Sequence, residues 1–200
     1  MDAGAHVAKP LPFAKLNGIS EKQISEHYNV LYQGYVKKLN EIELKLESVD
    51  RTLANATYSD LRELKLEGAF AANAIKLHEE YFSSLGGDGV PVGGLAAAIA
   101  EDFGSVDKWA EDFKASGLCS RGWVVLAYNW DDRRLRNYSC DYHTHGAWGC
   151  TPLIVLDVYE HAYFLDFATG RKKYADAFMA NLDWKAASAK FEKLETEKHK

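Results

Sequence analysis

Residues 156–164 have the sequence LDVYEHAYF, and they place an acidic side chain at the end of an apolar run. Asp157 follows TPLIVL, in which aliphatic and β-branched residues predict a buried strand. A carboxylate at such a position is costly unless a cation or hydrogen-bond donors meet it. Glu160 and His161 follow within four residues. A metal ion bound by Asp157 and His161 would satisfy the buried carboxylate.

Apolar side chains at helical spacing predict long helices in the first half of the chain. They recur over residues 21–46 and again over residues 59–85, which predicts two helices packed as an antiparallel hairpin. Ser20 stands where it can cap the first helix. Residues 86–94, GGDGVPVGG, form a glycine-rich break that predicts a flexible link to the second half.

The second half changes from helical to strand periodicity and back. Shorter helices are predicted over residues 95–103 and 105–116, and helix returns from residue 171 to the end. Between them, three runs rich in β-branched and aromatic residues predict strands, with a hairpin turn at residues 131–132. These runs are WVVLAYNW (123–130), RLRNYSC (134–140) and TPLIVLDVY (151–159).

The order of these elements predicts an α+β fold with two domains. We expect an N-terminal domain built from the long antiparallel α-hairpin over residues 1–90. We expect a C-terminal α/β domain with a small three-stranded antiparallel sheet over residues 91–200.

Composition narrows the classes of partner and compartment. The net charge of −5 argues against nucleic acid as the main partner, because phosphate binding needs a concentrated basic face. No apolar stretch is long enough to span a bilayer, and the start of the chain lacks the apolar core of a signal peptide. The three cysteines lack CxxC spacing, which favours reduced thiols. We therefore expect a cytoplasmic protein that binds neither nucleic acid nor membrane.

Two further histidines complete a candidate metal site. His27 and His78 lie on the two long helices, on faces that can meet in the antiparallel hairpin. Alone, each is better explained as a buried histidine held by a hydrogen bond. Together with Asp157 and His161 they form a nitrogen and oxygen ligand set without thiolate, which suits iron, manganese or zinc and leaves room for a non-protein ligand.

Over residues 12–195 the chain resembles the iron/manganese superoxide dismutase family. The strongest motif of that family, DxWEHxYY, is present as DVYEHAYF at residues 157–164. Supporting features are His27 followed by Tyr35-Val36, His78 followed by Leu85, Gly122-Trp123-Val124-Val125-Leu126, and Asn181-Leu182-Asp183-Trp184.

The resemblance implies a specific activity and ligand set. It implies one iron or manganese ion per subunit, superoxide as the substrate, and four ligands: His27, His78, Asp157 and His161. It also implies that Tyr35 gates the substrate channel and hydrogen-bonds towards the metal-bound solvent. The same ligand set serves either metal, so the resemblance does not choose between iron and manganese.

Further roles around the site follow from the same resemblance. Trp123 and Tyr163 belong to its motifs and are implied to surround the metal site or the subunit contact. Glu160 is implied to accept a hydrogen bond from the partner subunit's His161 in a homodimer, with a tetramer as the alternative assembly. Arg171 is implied to lie near the channel mouth, where its charge would attract an anion.

The sequence indicates less directly which residue orients the metal-bound solvent than which residues bind the metal. Many iron members of the family carry a glutamine four residues before the histidine of the second helix, but this chain has Ala74 there. The segment DYHTHGAWG, residues 141–149, offers His143 as the best match and His145 as the alternative.

Several positions depart from the family pattern. Leu31 and Phe164 stand where a histidine and a tyrosine commonly pair across the dimer. Because both polar residues are replaced, neither leaves a hydrogen-bonding group without its partner. Tyr159 and Phe82 stand where tryptophan is usual, and Arg121 where a small residue is usual. These changes keep two rival functions open: a metalloprotein of this fold with another oxygen chemistry, and a non-catalytic metal-binding protein.

Overall fold

The computed structural model describes residues 4–197, without the side chains of Glu195 and Glu197. The helices are α1 (Glu21–Ser25), α2 (Gln33–Ser48), α3 (Asp60–Ser83), α4 (Gly93–Phe103), α5 (Val106–Cys119), α6 (Phe164–Phe167), α7 (Arg171–Ala180) and α8 (Trp184–Glu197). A π-helical segment, Glu26–Tyr32, joins α1 to α2, and 3₁₀ turns lie at Arg51–Leu53 and Glu160–Ala162. The strands are β1 (Trp123–Asn129), β2 (Arg134–Cys140) and β3 (Cys150–Asp157).

The expected α+β architecture is confirmed. The first long helix, made of α1, the π-helical segment and α2, packs along α3 as a helical hairpin. The strands form one antiparallel sheet with the order β2-β1-β3. Serine side chains cap α1, α3 and α5, because each accepts a hydrogen bond from a main-chain N–H in the first turn. The division into domains at residues 90 and 91 stays a prediction, and its outer ends, residues 1 and 200, lie outside the described range.

The sheet forms the centre of the C-terminal half, and one candidate metal ligand lies at the end of its strand β3. Residues 153–157 of β3 are all buried, and β3 packs against both α3 and α8. Asp157 is the last residue of this strand and has no exposed surface. The contact between β3 and α3 therefore brings the end of the sheet to the helical hairpin.

The glycine-rich segment is not a flexible link, contrary to the sequence-based expectation. The N–H groups of Gly86 and Gly87 both donate to the carbonyl of Asn181, and Gly89 donates to the carbonyl of Leu182. A Cβ atom at Gly87 would overlap with the Leu182 carbonyl, so only glycine allows this close approach. The segment is docked on the chain between α7 and α8.

The same contact corrects the expectation of one continuous helix from residue 171 to the end. The helix is interrupted between α7 and α8, where Leu182 forms a β-bridge with Leu85. The Asn181 side chain also hydrogen-bonds both main-chain groups of Asn17 at 2.7 Å. These long-range bonds replace the helical ones at this point. Within residues 4–197, every helix is too short or too polar to cross a membrane.

Candidate metal centre

Four predicted ligand side chains come together from four different elements. His27 lies on the π-helical segment, His78 on α3, Asp157 at the end of β3, and His161 in the 3₁₀ turn that follows. One nitrogen or oxygen atom from each lies within 4.8 Å of the others. Asp157 Oδ2 is 3.1 Å from the Nε2 atoms of His27 and His161, and 3.8 Å from that of His78.

The spacing of these atoms fits a common metal ion. Two ligand atoms about 2.1 Å from one ion lie roughly 3.0 Å apart at a bond angle of 90° and roughly 4.2 Å apart at 180°. This range includes the 3.1 and 3.8 Å distances from Asp157 Oδ2. His78 Nδ1 donates to the Ala74 carbonyl at 2.7 Å, which leaves the lone pair on Nε2. That Nε2 atom is buried and has no hydrogen-bond partner. An ion at this point would satisfy His78 and balance the Asp157 carboxylate.

The electrostatic environment favours the ligand forms of most of these groups. Burial lowers the pKa of His27, and it lowers that of His78 to about 3, so both rings are neutral at pH 7. Burial alone would raise the pKa of Asp157, but His161 and His27 hold it well below the usual range. Burial works against the protonated form of His161 as well, yet the Asp157 carboxylate raises its pKa overall.

A hydrogen-bonded chain of three side chains lies beside the ligands. Trp123 Nε1 donates to His143 Nδ1 at 3.0 Å, and His143 Nε2 is 3.2 Å from the Tyr35 hydroxyl oxygen. Because an indole N–H can only donate, His143 Nδ1 must accept. Burial lowers the pKa of His143 to about 4, so the ring is neutral and its one proton lies on Nε2. His143 therefore donates to Tyr35, whose own O–H is left to point elsewhere.

Of the two histidines in residues 141–149, only His143 lies among the site rings. It is buried, with its ring centroid 6.0 Å from that of His78 and 5.3 Å from that of Tyr159. His145 is exposed, and its ring packs on Tyr142. The geometry favours His143 over the alternative, while its role in orienting solvent stays a prediction.

Tyr163 and Arg171 form a hydrogen-bonded pair that supports the 3₁₀ turn at Glu160–Ala162. Tyr163 is buried and stacks on Tyr174 at 5.0 Å. Arg171 donates to the Tyr163 hydroxyl at 3.2 Å and to the Ser120 carbonyl at 2.8 Å. The guanidinium is therefore held by two neutral groups, and its effect on an incoming anion stays a prediction. The Tyr174 hydroxyl donates to the Asp157 carbonyl at 2.8 Å, which links the Tyr163–Arg171 pair to the end of β3.

Glu160 faces an open groove rather than the interior. Within residues 4–197 its carboxylate makes no ion pair with another side chain, and it is exposed. The groove has a volume of about 590 Å³ and also contains the partly exposed edge of His161. Leu31 and Phe164 line the same groove. The pairing of Glu160 with the partner subunit's His161 stays a prediction.

Gln23 holds the site in a way that the sequence interpretation missed. Its side chain has no exposed surface, donates to the His161 carbonyl at 2.6 Å and accepts from Leu165 N–H at 3.1 Å. A glutamine four residues before His27 shares its helical face, and this spacing was the available signal.

Tyr159 is closer to the ligands than its motif position alone indicates. Its ring stacks on His161 at 5.3 Å, and its N–H donates to Asp157 Oδ1 at 2.9 Å. Phe82 packs against another candidate ligand, with its ring centroid 5.1 Å from that of His27. Both substituted positions therefore keep an aromatic ring beside a candidate ligand.

Known proteins are similar in sequence to this chain over nearly its whole length. Residues 91–190 match the family described as iron/manganese superoxide dismutases, C-terminal domain. An iron superoxide dismutase of Cupriavidus metallidurans is 44% identical over 181 residues, covering 89% of this chain and 91% of the relative. One of Aquifex aeolicus is 41% identical over 199 residues, covering 95% and 93%. A manganese superoxide dismutase of Halobacterium salinarum is 36% identical over 191 residues, covering 92% and 93%. By the profile match and by these identities, the chain belongs to the iron/manganese superoxide dismutase family.

Proposed function

We propose that the protein disproportionates superoxide, converting two superoxide anions and two protons into oxygen and hydrogen peroxide. The observation that carries this proposal is the convergence of four ligand atoms within 4.8 Å in a chain of this family. His27, His78, Asp157 and His161 would hold one iron or manganese ion. When bound, such an ion supplies a one-electron redox couple, which lets one superoxide be oxidised and the next be reduced.

The chain's own residues would manage the two protons that each cycle consumes. His143 donates to Tyr35, so the Tyr35 proton is directed away from His143 and is available to a bound solvent or substrate. Burial raises the pKa of Tyr35, which keeps its hydroxyl protonated at neutral pH. Trp123 fixes the tautomer of His143. This series of hydrogen bonds supports proton delivery by Tyr35 and a positioning role for His143 and Trp123.

The side chains around the site would exclude bulk water and favour a small anion as the substrate. His27, His78 and Asp157 have no exposed surface. The rings of Phe82, Trp123 and Tyr159 pack against His27, His78 and His161, respectively. The aromatic rings packed around the candidate ligands would disfavour bulky substrates. The net positive charge that a trivalent ion retains beside a single carboxylate would draw superoxide inward.

The finer features of the protein also belong to this proposal. We infer a cytoplasmic homodimer, with a tetramer as the alternative, in which Glu160 of each subunit reaches the partner's His161. Exposed apolar side chains next to Glu160 support a subunit contact at this groove: Val30, Phe164 and Leu165 expose 58%, 45% and 54% of their surfaces. We also propose residues 1–90 and 91–200 as the two domains, with the metal ion between them.

The test is reconstitution of the metal-free protein with iron and with manganese separately, followed by dismutation assays per bound metal. We expect activity with at least one of the two, and activity with only one would identify the native metal. Stoichiometric binding of both metals without dismutation would contradict the proposal. It would instead favour another oxygen chemistry or a non-catalytic metal-binding role.

A further inference from the structure

Lys9 joins the two helices that carry His27 and His78. Its carbonyl accepts a hydrogen bond from the Tyr28 hydroxyl at 2.7 Å, and Tyr28 directly follows His27. Its ammonium lies 2.6 Å from Glu79 Oε2, and Glu79 directly follows His78. Residue 9 therefore contacts the position next to a candidate ligand on each helix. Its own segment belongs to neither a helix nor a strand.

Tyr32 closes this arrangement into one network. Its hydroxyl accepts the Lys9 N–H at 2.8 Å and donates to Glu79 Oε1 at 3.0 Å. Only 1% of Tyr32 is exposed, and its ring stacks on His78 with centroids 6.3 Å apart and planes 26° apart. The ring also contacts Phe82, which packs on His27. A displacement of the Tyr32 hydroxyl would therefore shift the rings that pack against His78 and His27.

The N-terminal segment is fixed in register at a second point. The N–H of His6 donates to Asn40 Oδ1 at 2.8 Å, and Asn40 Nδ2 donates to the His6 carbonyl at 2.9 Å. At residues 6 and 9, side chains of the first long helix thus satisfy the main-chain donor and acceptor, as a neighbouring strand would. This places the Lys9 side chain over α3 without regular secondary structure.

We propose that Lys9, acting through Tyr32 and Glu79, is a positioning residue that holds the His27 and His78 helices at the separation the metal ion requires. This inference rests on the proposed metal site. Lys9 contacts none of the four candidate ligands. Its effect is therefore on the positions of those ligands, both before and after a metal ion binds. A clamp of this kind raises metal affinity because the histidines are already in place before the ion binds.

The experiment measures the affinity of the metal-free protein for Mn²⁺ alone, by competition with a chelator, in Lys9→Ala and Tyr32→Phe. Each variant removes one link of the clamp, and we expect a roughly three- to tenfold weaker affinity. Matched controls are Lys15→Ala, an exposed lysine of the same segment, and Tyr58→Phe, an exposed tyrosine that hydrogen-bonds Asp60. The controls should bind Mn²⁺ as the wild type does.

A second measurement separates positioning from simple stability. Unfolding free energies are measured with and without Mn²⁺ for every variant. A contact that only stabilises the fold would lower both values equally and leave the affinity unchanged, and that result would overturn the clamp. Lys9 is mostly exposed, so Lys9→Ala is expected to fold and keeps the test decisive even if Tyr32→Phe does not. A wild-type chain that bound no Mn²⁺ and no Fe²⁺ would overturn the clamp together with the proposed function.

Discussion

At the scale of single residues, one indole N–H decides where the proton of His143 lies. The Trp123 bond assigns the His143 tautomer and so determines which way the Tyr35 hydroxyl can point. The sequence identified all three residues through a family motif, but not this order. A motif gives residue types, whereas the direction of each hydrogen bond depends on which atoms meet in space.

The tautomer argument predicts the effect of Trp123→Phe. Without the donor, the His143 proton can move to Nδ1, so the Tyr35 hydroxyl loses its fixed direction. We expect dismutation per bound metal to fall about tenfold, the equivalent of roughly 1.4 kcal/mol in a lost buried hydrogen bond. Metal content should stay unchanged, and ¹⁵N NMR of His143 should report a mixed tautomer.

Trp130→Phe is the matched control for this prediction. Its indole also makes one hydrogen bond, to Thr151 at 2.9 Å, but it lies outside the ring cluster of the site. An equal loss of activity in both variants would contradict the positioning role of Trp123.

The three candidate histidine ligands predict how metal affinity depends on pH. Burial lowers the pKa of His27 and lowers that of His78 to about 3, whereas the Asp157 carboxylate raises the pKa of His161, so His161 takes up a proton first as the pH falls. Metal binding must displace that one proton below the His161 pKa. We expect the affinity to weaken about tenfold per pH unit as the pH falls below the ordinary histidine value of about 6.5, with about one proton released per ion.

Calorimetry in buffers of different ionisation enthalpy measures this proton release. His145→Gln is the control, because His145 is exposed and lies outside the ligand cluster, so it should not alter the count. Release of two or three protons per ion would mean that His27 or His78 is also protonated before metal binding.

At the scale of elements, the π-helical segment Glu26–Tyr32 is the main feature that periodicity could not predict. Apolar residues recur through the whole first helix at a spacing typical of an α-helix, so the sequence predicts one uninterrupted element. The extra residue of a π turn is a local change, and such turns are frequent at functional sites. His27 lies in this segment, where its ring meets those of His78 and His161.

The cap of α1 gives a prediction at this scale. Ser20 Oγ accepts the Gln23 N–H at 3.0 Å, and Gln23 in turn holds the His161 carbonyl. We expect Ser20→Ala to lower the unfolding free energy by about 1 kcal/mol and also to weaken metal binding. Ser105→Ala removes the equivalent cap of α5, where Ser105 accepts the Lys108 N–H at 3.1 Å.

Comparing these two variants separates a stability effect from an effect on the site. Both should lower the unfolding free energy by a similar amount, measured by chemical denaturation. Only Ser20→Ala should weaken Mn²⁺ binding, because α5 carries none of the candidate ligands. Equal Mn²⁺ affinities in the two variants would show that α1 does not transmit its position to the site.

At the scale of the whole molecule, the sequence predicted the fold class but not the contact between the glycine-rich segment and the connection from α7 to α8. Helical and strand periodicities are local, so they correctly predicted the hairpin and the three strands. The docking of Gly86 and Gly87 on Asn181 depends on residues far apart in the chain, and no local window contains both. The candidate site shows the same division: the ligand types were readable from the sequence, whereas the Gln23 support was found only through its contacts.

The groove beside Glu160 leads to a prediction about assembly. Phe164 is 45% exposed and lines this groove together with Leu31, Leu165 and the candidate ligand His161. If two copies meet at this groove, Phe164→Asp places a desolvated charge on both sides of the contact, because a twofold interface repeats every substitution. We therefore expect this variant to sediment as a monomer at micromolar concentration. Leu118→Asp is the matched control, since Leu118 is 48% exposed but lies on α5, away from the groove. Loss of the dimer in Leu118→Asp but not in Phe164→Asp would move the subunit contact to the α5 face and leave Glu160 without a role between subunits.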